Sequence, residues 1–238
     1  MPLPKISVPQ YTLELPSTGQ EIQYRPFLVK EEKLLVIALE SEDTKQITTA
    51  IKNVIKSCIH TKGIKVEALP TFDIEYLFLN IRGKSVGEEI EVNIICPDDE
   101  ITNVTVKIDI DSIKVETNEN HSNKVKVDSS IMMEMKYPSL DQFIKNNFDF
   151  TNNAMDQSFE LIASCINKIY TEDEVWSAAD VTKKEIIDFI EQMNSSQFKE
   201  IEKFFETMPK LSHKVKVTNP NTEVESEVTI EGLASFFA

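Results

Sequence analysis

The sequence contains little glycine and little cysteine. Its five glycines include neither of the patterns, G-x-G-x-x-G and G-x-x-x-x-G-K-[S/T], that hold nucleotide phosphates. Its three cysteines, Cys58, Cys96 and Cys165, are an odd number and lie far apart, which is not typical of a disulfide framework. Cys58 and Cys165 fall on apolar faces of predicted helices, where small buried residues are expected. We therefore expect no nucleotide-binding loop and no disulfide framework.

Basic residues are also scarce, since 25 Lys and Arg stand against 40 Asp and Glu and the net charge is −15. Nucleic-acid binding rests largely on Lys and Arg side chains that neutralise phosphates, so the composition disfavours a nucleic-acid partner. No run of 18 uncharged apolar residues is present, and prolines interrupt "MPLPKISVPQ" where a signal peptide needs an apolar run. We expect a protein that is made and kept in a cytosol, without a membrane partner.

Side chains that carry catalysis in other proteins do not form a recognisable set here. None of His60, His121 and His213 lies near a serine or cysteine in a known nucleophile motif. Adjacent carboxylates such as Asp98 and Asp99 are expected by chance in a chain with 40 acidic residues. The sequence therefore predicts a protein that is not an enzyme, with no cofactor and no small-molecule substrate.

The start of the chain predicts a β-hairpin followed by a pair of helices. In "YTLELPSTGQEIQYRPF", apolar and polar residues alternate on both sides of a turn that contains Pro16 and Gly19. Apolar spacing then predicts two helices, Val29–Leu39 and Thr44–Ile59, which we expect to pack as a helical hairpin.

The middle of the chain opens with a third helix and continues with strands. This helix is apolar on most of its circumference and therefore central; we expect Thr71 to cap it and Gly87 to end it. A polar loop from Glu116 to Asn123 interrupts the strands that follow. Alternation predicts three strand segments: Glu89–Ile95, Val104–Ile110 and Lys124–Met135.

From Pro138 the pattern is helical again: a helix is predicted in "PSLDQFIKNNF", another over Met155–Tyr170, and two more that start at the N-caps Thr182 and Ser195 or Ser196. A second hairpin and the tail "EGLASFF" end the chain. The predicted fold class is α+β, a helical body with an N-terminal β-hairpin, a central β-rich insertion and a C-terminal β-hairpin. Three segments are expected: 1–87, 88–137 and 138–238.

An internal similarity links the central strands to the end of the chain. "VNIICPDDEITN" followed by "VTVKIDI" resembles "VKVTNPNTEVESEVTIEGL", and Cys96-Pro97 corresponds to Asn219-Pro220. A zinc ribbon has two strands joined by such a turn, but it needs a Cys-x-x-Cys pair there and a second pair elsewhere. Only Cys96 is present, as a vestigial ligand position at most. We therefore predict two metal-free hairpins that keep the shape of a zinc ribbon.

Three motifs resemble a known family. "LPSTGQEIQYRPFLVKEEKLL", "FDIEYLFLNIRGKSVGE" and "VTIEGLASFF" are similar, in this order and over nearly the whole chain, to the baseplate hub proteins of T-even-type contractile-tailed phages. The resemblance implies a role in building or forming the central hub of the tail baseplate, in contact with other hub proteins. In relatives the two turns often carry Cys-x-x-Cys pairs; this sequence departs from that pattern, so zinc is not carried over.

Charged residues offer two candidate contacts with partners. Arg25, Arg82 and Lys84 are basic residues of an acidic chain and form a candidate docking contact; the alternative is that they complement a helix dipole and make local salt bridges. Residues 172–206 carry ten acidic and four basic side chains, which is typical of a solvated face of two helices and, alternatively, of an acidic docking patch.

The tail supplies a third candidate, because Leu233, Phe236 and Phe237 would share one face of a helix. We predict that they insert into a groove of a partner, and docking onto the chain's own core remains the alternative. For the whole protein we expect assembly in the cytoplasm of an infected host. It would then be a permanent part of the virion tail or a transient assembly chaperone; a metal-binding or enzymatic protein is the remaining alternative.

Overall fold

The computed structural model describes residues 6–41, 43–140, 142 and 154–232 and has the α+β composition that the sequence predicts. The chain forms two compact units. The first combines the described residues up to Glu116 with those from Lys210, and the second is Thr117–Pro209. These units do not coincide with the three predicted segments, because the C-terminal strands return to the first unit.

The first unit opens with the predicted hairpin. Strands β1 (Tyr11–Glu14) and β2 (Glu21–Tyr24) are antiparallel, with Leu13 opposite Ile22, and Gly19 adopts a positive φ of 66° in the turn. Glycine suits that position because it carries no Cβ.

Two helices follow, α1 (Val29–Glu40) and α2 (Thr44–Cys58), and they pack against each other as expected. Asp43 caps α2 by accepting the backbone N–H of Lys45 at 2.8 Å. The apolar residues of α2 that follow helical spacing are all buried: Ile47, Ile51, Val54, Ile55 and Cys58.

Helix α3 (Thr71–Val86) is the central element of the first unit, since buried residues lie around most of it, and Gly87 ends it as predicted. The predicted cap is wrong: the N-cap is Pro70 and no side chain caps the helix. Asp73 instead accepts hydrogen bonds from the backbone N–H and hydroxyl of Ser17, which ties the hairpin turn to the helix. Gly83 permits close packing, because a Cβ there would lie 2.9 Å from a methyl group of Ile110.

Two small sheets complete the first unit. Strands β3 (Glu89–Ile95) and β4 (Asn103–Asp109) form the central hairpin. Strand β5 (Lys114–Glu116) lies in a separate antiparallel sheet with the last two strands, β10 (Lys210–Thr218) and β11 (Glu225–Glu231). The order in this sheet is β11-β10-β5.

The second unit contains a four-stranded antiparallel sheet and three helices. The strands are β6 (Lys124–Lys126), β7 (Met132–Met135), β8 (Ile166–Tyr170) and β9 (Val175–Ser177). They lie in the order β6-β7-β8-β9. The helices are α4 (Ala154–Cys165), α5 (Lys183–Glu191) and α6 (Ser195–Thr207). The core joins side chains from the sheet and from these helices: Met133, Ile162, Ile166, Ile190, Ile201 and Phe204.

The predicted helix over Met155–Tyr170 is too long. The helix ends at Cys165, and the next five residues form β8 because Ile169 pairs with Met133 on one side and with Trp176 on the other. Backbone pairing in the sheet thus prevails over a helical apolar spacing that continues past the end of the helix.

Two further predictions in this unit need correction. The segment Lys124–Met135 is two strands, because the carboxylate of Asp128 accepts the backbone N–H groups of Ser130 and Ile131 and closes a turn. Helix α6 is capped by Asn194 rather than by either serine, since the Asn194 Oδ1 accepts two N–H groups of the first turn. The predicted cap Thr182 is confirmed, and Glu185 completes a capping box with it.

Candidate functional site

The two similar hairpin turns have a related backbone form, and the first is one residue longer than the second. In the first, the Cys96 N–H donates to the Thr102 carbonyl at 2.8 Å; in the second, the Asn219 N–H donates to the Val224 carbonyl at 3.0 Å. The Glu100 N–H donates to the Cys96 carbonyl, and the Glu223 N–H donates to the Asn219 carbonyl, both at 2.9 Å. Both glutamates have positive φ, 58° for Glu100 and 60° for Glu223. We call Cys96–Thr102 and Asn219–Val224 the paired turns.

The paired turns contact each other through polar side chains. The Asn219 Nδ2 donates to both carboxylate oxygens of Asp98 at 3.0 Å and to Asp99 at 2.9 Å. The Thr222 hydroxyl donates to Asp98 at 2.5 Å, and the Asn221 Nδ2 donates to the Thr102 hydroxyl at 3.0 Å. Asn219 is almost fully buried, with 1% of its surface exposed. Hydrogen bonds between side chains therefore join the two turns.

The electrostatics of the paired turns favour charged carboxylates and a neutral thiol. Hydrogen bonds from Thr222 and Asn219 lower the pKa of Asp98. Those from the Thr102 hydroxyl and from nearby N–H groups lower the pKa of Asp99. Burial raises the pKa of the Cys96 thiol, and the two carboxylates raise it further. The described residues contain no group of three or more His, Cys, Asp or Glu residues arranged to hold a metal ion.

Arg25, the first of the predicted docking residues, is engaged within the chain. Its guanidinium lies 3.0 Å from the Glu31 carboxylate and 2.8 Å from the Pro26 carbonyl. Glu31 is buried in α1 and also accepts the Leu28 N–H at 2.8 Å. Burial opposes ionisation of Glu31, but the hydrogen bonds from Arg25 and the Leu28 N–H lower its pKa. Arg25 thus neutralises a buried carboxylate.

Lys84 and Arg82 lie near the end of α3. The Lys84 Nζ is 2.5 Å from the Glu88 carboxylate and 3.6 Å from Asp111, and it lies 5.5 Å from the ring centroid of Tyr11. Arg82 is partly buried, and burial lowers the pKa of its guanidinium. Arg25 and Lys84 thus form local salt bridges, which the sequence left open as the alternative to a docking contact. A docking contact of the three basic residues stays a prediction.

The remaining predicted site residues, Leu233, Phe236 and Phe237, lie outside the described residues. Their role as a partner anchor therefore also stays a prediction.

Helix α1 carries a feature that sequence reasoning missed. Five of its aliphatic side chains are exposed on the surface of the first unit, whereas Glu31 and Ala38 are its buried residues. We call these five residues the α1 surface: Val29, Leu34, Val36, Ile37 and Leu39. The sequence holds a weak signal for it, because apolar residues of "VKEEKLLVIALE" lie around the whole helix rather than on one face. No helix within the described part of the chain is long and apolar enough to cross a membrane.

Comparison with known proteins identifies a family to which the chain is similar. Residues 8–238 match a family model described as T4 bacteriophage base plate protein. The match covers nearly the whole chain and includes both paired turns and the α1 surface. Neither a curated protein nor a solved structure matches the chain.

Proposed function

The chain belongs to the T4 bacteriophage base plate protein family, and on this premise we propose that it serves as a hub subunit or a hub assembly factor of the tail baseplate. It acts by protein–protein contact, and its partners are other baseplate and hub proteins. It performs no reaction and requires no cofactor, nucleic acid, membrane or small-molecule substrate. Assembly takes place in the cytoplasm of the infected host.

The observation that carries the proposal is the α1 surface. Val36, Ile37, Leu34 and Leu39 each expose about half of their area to water, and Val29 exposes 80%. Exposed apolar surface of this kind is usual where another protein binds, because its burial is the main favourable term in association. Charged side chains adjoin it on the same helix, as the polar rim of an interface does. The α1 surface therefore supports a contact with another baseplate protein.

The paired turns support a second property of an assembly protein, which is rigidity without a metal ion. Two hairpins from distant parts of the chain are joined by side-chain hydrogen bonds to charged groups, which are stronger than neutral ones. A rigid surface loses less conformational entropy when a partner binds. Binding therefore benefits from hairpins that are already fixed in the free protein.

Mass spectrometry of purified phage particles distinguishes the two forms of the proposal. A hub subunit is present at a fixed ratio to other tail proteins. A transient assembly chaperone is present in infected-cell lysate, bound to tail proteins, and missing from particles. The proposal is wrong if the protein occurs in neither state. Elemental analysis of the purified protein tests the remaining alternative, since one zinc ion per chain would indicate a metalloprotein.

A further inference from the structure

The second unit contains an open apolar cavity of about 260 Å³ that the core does not fill. It lies between the last two strands of the sheet, the loop that follows them and helix α5. Six apolar side chains line it: Ile131, Ile169, Trp176, Val181, Ile186 and Phe189. Thr171 and Glu185 are the polar residues of the lining, and the Glu185 carboxylate is held at 2.7 Å by the N–H and hydroxyl of Thr182. The lining of the cavity is therefore mostly apolar.

The volume of the cavity indicates what can occupy it. Pockets for small-molecule ligands usually measure about 300–1,000 Å³, so this one is small for that role. An apolar cavity of about 150 Å³ accepts a benzene molecule. A cavity of 260 Å³ is thus large enough for one aromatic ring or one branched aliphatic side chain. An apolar side chain of another protein is the occupant that fits.

Strand β9 places apolar residues at the edge of this cavity. It is the end strand of the sheet within the described part of the chain, and it contributes Trp176, which is 40% exposed. The neighbouring Val175 is 67% exposed. An anchored side chain would cover part of Trp176, and aromatic residues of this kind often dominate the binding energy of an interface.

The charge around the cavity identifies the kind of segment that carries the anchor. Residues 171–182 contain four carboxylates, all exposed, and no lysine or arginine: Glu172, Asp173, Glu174 and Asp180. Among the described residues, none of the four lies within ion-pair distance of a basic side chain, and the nearby Lys183 pairs with Glu160 at 3.0 Å. An acidic rim of this kind attracts lysine and arginine and repels carboxylates.

We propose that this cavity receives one aromatic or branched aliphatic side chain from a lysine- or arginine-rich segment of another baseplate protein. The identity of the partner as a baseplate protein rests on the proposed function. The chemistry of the site rests on the cavity and its rim. The acidic stretch that begins at Glu172, for which the sequence predicts a solvated face or, alternatively, an acidic docking patch, is then part of a binding site.

The sole tryptophan of the chain provides a direct measurement, because Trp176 lines the cavity. The probes are three synthetic peptides added to the full-length protein: Gly-Lys-Lys-Phe-Lys-Lys-Gly, the same peptide with Ala in place of Phe, and Gly-Glu-Glu-Phe-Glu-Glu-Gly. We expect a saturable change in tryptophan fluorescence with the first peptide. Loss of the ring should weaken binding by at least about tenfold, the usual effect of losing one buried aromatic side chain. The acidic peptide should bind weakest.

Matched variants test the two parts of the site separately. Val181→Lys changes the cavity lining, and Val86→Lys makes the same change at a residue of α3 in the first unit that is 61% exposed. Glu172→Lys with Glu174→Lys reverses two charges of the rim. Glu200→Lys with Glu202→Lys, on exposed positions of α6, makes the same change in net charge elsewhere. We expect the cavity and rim variants to lose about tenfold or more in affinity for the Phe peptide, while each control stays within about twofold.

Several results would overturn the inference. Equal binding of the Phe and Ala peptides would mean that charge alone attracts them, and equal binding of the basic and acidic peptides would remove the role of the rim. Absence of saturable binding by the Phe peptide would also reject it. These results leave the proposed function untouched, because particle mass spectrometry tests that function without reference to the cavity.

Discussion

The side-chain nitrogen of Asn219 lies 3.0 Å from both carboxylate oxygens of Asp98, although 121 residues separate the two in the chain. Asn219 occupies the position in its turn that Cys96 occupies in the other. One neutral amide therefore joins two hairpins of similar backbone form.

Substitution of Asn219 by alanine should destabilise the first unit. The change removes the donor that Asp98 and Asp99 share, and their carboxylates would face each other across the gap. We expect the free energy of unfolding to fall by about 1–3 kcal/mol, the usual range when a buried hydrogen-bonding partner is removed. Urea unfolding measures the effect.

Asn221→Ala is the matched control, since Asn221 is exposed and its side-chain Nδ2 donates to the Thr102 hydroxyl rather than to a carboxylate. A loss of less than about 1 kcal/mol is expected there. Equal losses in both variants would contradict a special role for Asn219.

The sequence predicts the two hairpins but not their junction. Alternation and the Cys-Pro and Asn-Pro turns locate the strands, because these are local signals. The contact between Asn219 and Asp98 depends on chain segments far apart in sequence, and no local pattern carries that information. Strand β5 illustrates the same limit, because Val115 pairs with Leu211 of β10 rather than with a neighbouring strand.

Replacement of Arg25 by methionine should destabilise the first unit more strongly than the loss of a surface charge. The Glu31 side chain, 5% exposed, would keep its charge with the Leu28 N–H and Lys30 as its remaining partners. Breaking a buried ion pair by removing one member costs about 3–5 kcal/mol, and the nearby Lys30 reduces the expected loss to about 2–4 kcal/mol. Urea unfolding followed by circular dichroism provides the measurement.

Lys30→Met is the control, because Lys30 approaches the same carboxylate at 3.3 Å but is 71% exposed. A change below about 1 kcal/mol is expected for such an exposed pair. Adding Glu31→Gln to Arg25→Met should restore most of the stability, since glutamine can still accept the Leu28 N–H without a charge. If the double variant were no more stable than Arg25→Met, an unpaired charge would not be the cause.

The burial of Glu31 also shows where sequence reasoning about α1 fails. An apolar spacing predicts that the aliphatic residues of a helix face the core and that its charges face water. In α1 the carboxylate of Glu31 is buried because Arg25, in the segment just before the helix, neutralises it. Val36 and Ile37 of the same helix stay exposed. Ion pairing and an exposed binding surface are both properties of the folded environment. The helix itself is predictable, but the direction in which it faces is not.

The second unit should lose stability as the pH falls below about 6.5, because of His121. Its Nδ1 donates to the Thr207 hydroxyl at 2.9 Å, since that hydroxyl donates its own proton to the Lys203 carbonyl. Its Nε2 is buried without a partner among the described residues, and its ring packs against Tyr137 and Phe204. Protonation would place an N–H where nothing accepts it.

Burial lowers the pKa of His121 from its ordinary value of 6.5. The folded state therefore binds a proton less readily than the unfolded state. Stability is complete above pH 6.5 and falls as the pH drops towards the lowered pKa. Thermal unfolding followed by Trp176 fluorescence should show a larger decrease between pH 7.5 and 5.5 for the native protein than for His121→Phe. His60→Gln, at an exposed histidine of the first unit, should keep the native pH profile. Identical profiles for His121→Phe and the native protein would contradict the assignment.

Lysine substitutions on the α1 surface should abolish association with the baseplate while leaving the fold intact. Val36 and Ile37 are 48% and 50% exposed, so a lysine at either position reaches water without disturbing the core. We expect the free energy of unfolding of Val36→Lys and Ile37→Lys to change by less than about 0.5 kcal/mol, as for most surface substitutions. A charge inside an apolar interface is costly, so the variants should be missing from complexes with tail proteins in infected cells.

The control for these variants is Val86→Lys, which makes the same change at a residue of α3 that is 61% exposed and lies outside the α1 surface. Quantitative mass spectrometry of affinity-purified tail complexes compares the three variants with the native chain. Retention of Val86→Lys together with loss of both α1 variants locates the contact on α1. Normal incorporation of Ile37→Lys and Val36→Lys would show that the exposed residues of α1 do not contact a baseplate protein, and the proposed function would then have to rest on another surface.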